Sequence, residues 1–218
     1  ELNSNSNPPS DLMKCIMLNS ADDIGNPGPD FKHGWGEVNV LRGLRMLEES
    51  NYQSGVLSQG DVNDHDLIVP NDVKDLKIMV YWHDKEASPS STIALVNDLD
   101  IQLTTPNGNI VQPWVLDPTP NASVLDANAV RGVDSLNNME QITIKSPNPG
   151  IYNLLVNGVS IPFGPQNYWL TYEFNSENIE LTYPVGGESL VPGEFELIRW
   201  DAVEDSLPFI LEYTSDNG

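Results

Sequence analysis

Apolar and polar residues alternate with a period of two through the middle of this 218-residue chain, which commits that stretch to strands. In Asp98-Leu-Asp-Ile-Gln-Leu-Thr-Thr105, Leu99, Ile101 and Leu103 share one face, and Asp98 and Asp100 share the other. Leu76–Trp82, Met139–Ile144, Gly150–Asn157 and Gln166–Phe174 are further strand candidates. Pro106-Asn-Gly108 is a turn signal, and Asn109–Gln112 answers it as the second arm of a hairpin. Short strands separated by Gly, Pro and Asn turns describe an antiparallel β-sandwich. The run from Pro113 to Asp134 has turn residues but no period, and reads as a long surface loop.

Two helices are expected ahead of the strands. Pro8-Pro9-Ser10 stops whatever precedes it, and Ser10 can cap a helix starting at Asp11. Leu12, Met13, Cys15, Ile16, Met17 and Leu18 leave that helix little polar face, so it must be buried nearly all round. The second helix runs from about Val38 to Glu49, with Val40, Leu41, Leu44 and Leu47 at helical spacing. Two helices cannot make a core of their own, so the expectation is that they pack on a sheet lying upstream of the chain. Asn51–Asp66 reads as a polar linker. After Asn178, three more strands are expected in Ile179–Glu188, Glu196–Asp201 and Phe209–Gly218.

A net charge of -22 and a pI near 4.1 argue against nucleic-acid binding, which needs basic surface to displace counterions. No apolar run approaches the ~20 residues that span a bilayer. The start at Glu1, without an initiator Met or a leader, reads as a mature or excised piece. The single Cys15 excludes an internal disulfide framework and, on the apolar side of the first helix, behaves as a small hydrophobe.

Asn19-Ser-Ala-Asp-Asp-Ile-Gly25 leads into a Gly- and Pro-rich loop, the turn Gly34-Trp-Gly36 and then Val38-Asn-Val-Leu-Arg-Gly-Leu44. This order resembles the closing segment of the catalytic domain of subtilisin-like serine proteases, the subtilases. The phrases LVNDLDIQLTTPNGN, NNMEQITIKSPNPGIYNLLVNG and GPQNYWLTYEF are similar, in the same order, to the β-sandwich appended to one group of secreted subtilases. YPVGGESL and LEYTSDNG resemble the opening half of an immunoglobulin- or fibronectin type III-like module, which needs about four more strands to close. The organisation implied is a helical tail of a catalytic domain at 1–50, a linker at 51–66, a jelly-roll-like sandwich at 67–176 and a truncated immunoglobulin-like module at 177–218.

The resemblance implies an extracellular parent that hydrolyses peptide or protein substrates with an Asp-His-Ser triad placed upstream. The family's nucleophile motif, Gly-Thr-Ser-Met-Ala, and its His-Gly-Thr-His motif are both missing, and His33, His65 and His83 sit in other contexts. No catalytic residue is therefore expected here, and the chain alone should be inactive.

Carboxylates gather in the sandwich segment. Asp98 and Asp100 project together, Asp84 follows the Trp82 strand, and Asp134, Asn137, Asn138 and Glu140 lie at the foot of another strand. Hard oxygen ligands of this kind suit calcium, which takes six to eight of them, and subtilases of this type carry calcium in the appended sandwich. The candidate metal residues are thus Asp84, Asp98, Asp100, Asp134, Asn138 and Glu140, against the simpler alternative of a solvated acidic strand face. No Cys/His spacing suggests zinc. Tyr81, Trp82, Tyr168, Trp169 and Tyr172 could line a sugar-binding face, but buried sandwich aromatics are the commoner arrangement. Asn121-Ala-Ser123 matches a glycosylation sequon.

Two function classes follow. One is the non-catalytic C-terminal region of a secreted subtilisin-like endopeptidase, packed on the upstream protease domain and holding calcium. The other is a targeting module that engages a glycan, a protein or a cell-surface ligand. A stabiliser buries an apolar patch against its protease domain, whereas a binder presents aromatics in an open groove.

Overall fold

The computed structural model describes residues 7–176, 179–202 and 208–214. Its elements, in chain order, are α1 (Ser10–Asn19), α2 (Val40–Glu48), β1 (Tyr52–Leu57), β2 (Val62–Val69), β3 (Val73–Tyr81), β4 (Asp98–Thr104), β5 (Ile110–Val111), β6 (Trp114–Val115), α3 (Ala122–Leu125), β7 (Val130–Arg131), β8 (Met139–Lys145), β9 (Gly150–Ser160), β10 (Gln166–Ser176), β11 (Glu180–Tyr183) and β12 (Arg199–Asp201).

Two four-stranded antiparallel sheets form a β-sandwich. The first has the order β1-β10-β3-β8 and the second β2-β9-β4-β5. The alternation in β4 reads out directly, since Leu99, Ile101 and Leu103 are fully buried while the residues between them are half-exposed. Leu76, Ile78, Val80 and Trp82 come from the other sheet to complete the core with Ile142, Tyr152, Leu154, Val156, Tyr168 and Leu170.

The segment 51–66 is a correction to the sequence reading. It is not a linker but supplies β1 and most of β2, the edge strands of the two sheets. Its polar content reflects edge position: β2 alternates, with Leu67 and Val69 buried and Asp64, Asp66 and Ile68 exposed. The stretch Pro113–Asp134 likewise holds structure, the short β6–β7 pair and the single turn α3.

The helices do not wait for an upstream sheet. α1 lies across the outer face of β10 and β3, and α2 contacts α1 and β10. Leu12 and Ile16 pack with Met46, Leu47, Tyr52 and Trp169, and Cys15 packs with Met79, Tyr81 and Trp35. Sheet one is therefore covered on both faces, which is why Lys77-Ile-Met-Val-Tyr81 is buried throughout. Protection of α1 follows, and amide exchange across residues 12–19 should be slow in the isolated chain, contrary to what an orphaned helix would show. Exchange at the intrinsic rate would mean that this packing does not form in solution.

α1 carries no side-chain cap, the residue before it being Pro9, whereas Asn39 caps α2 by accepting the Arg42 N–H at 3.1 Å. Between the helices, Gly36 adopts φ +111°, and a Cβ there would lie 2.0 Å from the Asp22 carbonyl oxygen. Only glycine permits the Asp22–Glu37 bridge that turns Trp35 against the sheet.

The third segment begins as the sequence suggests, with β11 and β12 paired as an antiparallel ribbon. Residues 208–214 carry no strand, and the end of the strand expected at Phe209–Gly218 lies outside the described residues. The ribbon is tied to α2 by charge. Arg42 reaches Asp201 at 3.1 Å and Asp22 at 2.8 Å, and Arg45 pairs with Glu180 and Asp201.

Candidate functional site at the sandwich edge

The acidic residues singled out in the sequence converge on one open edge of the sandwich, where β8 of sheet one crosses β4 of sheet two. β4 pairs with β5 only over Leu103 and Thr104, and the Ile101 N–H just upstream is taken by Glu140 Oε2 at 2.8 Å. Glu140 belongs to the inward-facing set of β8 with Ile142, and its side chain is completely buried. Its second oxygen has no hydrogen-bond partner, and neither do the buried Asp98 Oδ1 and Asp100 Oδ1.

These groups repel one another through a poorly solvated region. Burial pushes the Glu140 carboxyl well up, against the pull of the Ile101 N–H, and the charges of Asp100, Asp134 and Asp98 push it further. Burial, then Asp98 and Asp134, lifts Asp100 to about 6. Asp98 is raised by burial and then by Asp134 and Asp84.

Asp84 and Asp134 hold backbone. Asp84 accepts the N–H groups of Lys85, Val96 and Asn97 at 2.7–2.9 Å, clamping the loop between β3 and β4. Asp134 accepts the N–H of Leu136 at 2.8 Å and the Asn137 amide at 2.6 Å. Asn138 donates its side-chain amide to the Trp82 carbonyl at 2.7 Å, leaving its own oxygen as the group that could serve a cation. Among the described residues no three His, Cys, Asp or Glu side chains close on one point tightly enough to enclose a metal ion. The arrangement is a charge-coupled edge with three orphaned carboxylate oxygens, which a hard cation could draw together.

A pH dependence follows from the raised carboxyls. A carboxyl whose folded pKa exceeds its unfolded value contributes stability below the unfolded pKa, and this is lost as pH rises through the folded pKa. For Asp100 that window runs from 3.8 to about 6. In chelator, stability should therefore fall between pH 4 and pH 6.5, and Asp100→Asn should flatten part of that fall. A wild-type profile that the substitution leaves unchanged would mean that Asp100 is not its source.

The aromatic residues take no part in an open groove. Trp82, Tyr168 and Tyr81 are buried in the core or beneath α1, and Trp169 and Tyr172 pack against those same clusters. The histidines are dispersed. His65 lies at the far edge of the sandwich, hydrogen-bonded to Gln53 and Tyr168, while the His33 N–H joins those of Asn26 and Lys32 around the Asp30 carboxylate.

Two features were not legible in the sequence. One is the buried charge network of Lys77, Glu173 and Arg42 beneath the helices. The other is the role of Trp114, whose ring lies under the Arg131 guanidinium at 3.5 Å and whose Nε1 donates to Thr143. Lys77 and Glu173 sit at strand positions that the alternation gives to a solvent face, and only the helix cover makes them interior.

No protein-family model matches this chain. In an alignment 175 positions long that covers 74% of the chain, it is 24% identical to the serine protease/ABC transporter B family protein tagA of Dictyostelium discoideum. The match spans only 10% of that protein's length. Among solved structures, the lipase BlEst2 of Bacillus licheniformis in its propeptide form aligns with a TM-score of 0.35 and 16% identity, over 57% of this chain and 21% of the lipase. The pre-peptidase C-terminal domain of collagenase from Bacillus anthracis aligns with a TM-score of 0.29 and 16% identity, over 56% of this chain and 87% of that domain.

Proposed function

We propose that this chain is a non-catalytic, protease-associated region of a larger secreted serine endopeptidase of the subtilisin-like kind, which it stabilises by packing on the protease domain. The observation that carries this reading is the two-sided helix layer. α1 and α2 are anchored to the sandwich by Leu12, Cys15, Ile16 and Met46, yet they present Met17, Val40 and Leu44 outward with 42–75% of their surface exposed. Apolar residues left exposed on both helices suit burial against a further domain. The similarity to a protein described as a serine protease supports the same reading. Burial of Tyr81, Trp82 and Tyr168 removes them as a stacking surface for sugars, which weighs against the glycan-targeting alternative.

The reading includes calcium at the acidic edge. Glu140, Asp98 and Asp100 would supply the orphaned oxygens, with Asp134, Asn138 and Asp84 beside them. A divalent ion would neutralise the repulsion between the carboxylates and tie β8 to β4. Binding to the folded state alone would add about 2.7 kcal/mol at a hundredfold excess over the dissociation constant.

Thermal unfolding in excess calcium and in chelator tests the metal. A higher midpoint in calcium that Glu140→Gln and Asp98→Ala abolish supports the site, and equal midpoints for the native chain reject it. The non-catalytic assignment is tested by incubating the chain with casein and with a fluorophosphonate probe. Neither cleavage nor labelling is expected, and stoichiometric labelling of any serine would overturn it.

A further inference from the structure

At the sandwich edge opposite the acidic one, β1 and β2 are held together by four polar side chains that nothing above uses. His65 on β2 points inward, with Nδ1 at 2.7 Å from Gln53 Oε1 on β1 and Nε2 at 2.7 Å from the Tyr168 hydroxyl on β10. The Asn63 amide donates to the same hydroxyl at 2.9 Å. Tyr168 is buried, and its hydroxyl occupies the space that a Cβ on Gly55 would need, 2.2 Å away.

One assignment of protons leaves no donor without an acceptor. His65 Nδ1–H donates to Gln53, Tyr168 O–H donates to His65 Nε2, and Asn63 donates to the Tyr168 oxygen. This requires a neutral imidazole. A proton added at Nε2 would turn the His65–Tyr168 bond round and leave the Tyr168 hydroxyl proton facing no acceptor. It would also place a positive charge where β1, with the sequence Tyr-Gln-Ser-Gly-Val-Leu, has no carboxylate to meet it.

We propose that His65 is an acid-sensitive latch: neutral, it fastens β1 to β2 and β10, and protonated, it releases that edge of the sandwich. The surroundings agree. On its own strand the nearest charges are Asp64 and Asp66, which project from the outer face and are engaged by the Asn153 amide. β10 contributes Tyr168, and the residue opposite on β9 is the apolar Leu154. Burial holds the imidazole pKa below its ordinary value, and Asp64 only partly offsets this. The stabilisation is thus complete above the unfolded pKa of His65 and is lost as pH falls through that value to the folded one.

Release at β1 reaches further than the edge. β1 follows α2 directly, and Tyr52 at its start packs with Leu12, Ile16 and Met46. Loosening β1 therefore loosens the seat of both helices.

Amide exchange measured by mass spectrometry from pH 7.5 to pH 5, corrected for intrinsic rates, reads this directly. Protection across residues 52–57 and 62–66 should fall as His65 charges, by about tenfold for each pKa unit separating the folded and unfolded states. Strands β3 and β8 should hold theirs. Gln53→Glu places a carboxylate against Nδ1–H and should keep the edge closed to lower pH. The His65 imidazole NMR signals of the native chain provide a second reading that needs no variant. They should show the Nδ1–H tautomer and a midpoint below the ordinary histidine value. An Nε2–H tautomer, an ordinary midpoint, or edge protection that ignores pH in the native chain would each overturn the latch. So would Gln53→Glu opening at the same pH as the native chain.

Discussion

Arg42→Ala should destabilise this protein by about 3–5 kcal/mol, the range expected when one partner is removed from a buried ion network. Arg42 is 6% exposed and stands among Asp22 at 2.8 Å, Asp201 at 3.1 Å and Glu173 at 3.8 Å. Burial disfavours its charge, but Asp201, Glu173 and Asp22 outweigh this and hold the guanidinium above its usual pKa. Glu173 depends on the same neighbourhood. Burial pushes its carboxyl to about 7, with Lys77 and Arg42 pulling it back. Without Arg42, Glu173 should take up a proton at neutral pH, and Asp22 and Asp201 should face each other without the cation that joins them, loosening the β11–β12 ribbon from α2. Urea unfolding would give the energy, and limited proteolysis would show whether cleavage appears between β10 and β11. A loss below about 1 kcal/mol would place the pair among surface ion pairs, which contribute that little.

Trp82→Ala should cost about 3–5 kcal/mol by leaving a cavity between the two sheets. The ring is fully buried among Leu99, Ile101 and their neighbours, and its Nε1 donates to the Asn97 carbonyl at 2.8 Å. Asn97 in turn donates to Gln166 and to the Phe163 carbonyl, so the indole fixes the loop that leads into β4. Trp82→Phe separates the two contributions. It keeps most of the volume and orphans only the carbonyl, at about 1–3 kcal/mol. Equal losses for Ala and Phe would mean that the hydrogen bond dominates the packing.

The strands were legible where apolar core-facing positions alternate with polar ones on the opposite face. β4, β8, β9 and β10 fall within a few residues of where the pattern puts them. Where that condition fails, so does the reading. β1 and β2 are edge strands with polar residues on both faces, and their composition is that of a linker. The helices were visible, but not their seat. Trp169, Thr171 and Glu173 lie on the face of β10 that an uncovered sandwich would give to water, and nothing local says that α1 covers it. At the acidic edge the sequence supplied the residues and the shared face of Asp98 and Asp100. It could not supply the hydrogen bond from Ile101 to Glu140, because that bond joins two sheets through a side chain remote in sequence.

The pairing order also sets when the molecule can fold. Among the described residues β1 finds its ladder partner in β10, and β2 in β9, both of which come roughly a hundred residues later in the chain. α1 sits on β3 and β10, so it too lacks half its seat until β10 exists. A chain emerging from the ribosome would therefore carry β2 without its partner until residue 160 had been made, and β1 and half the seat of α1 without theirs until residue 176. Such non-local closure makes folding slow and leaves nascent apolar surface open to association. Synthesis of this protein should accordingly depend on chaperone capacity more than its size suggests.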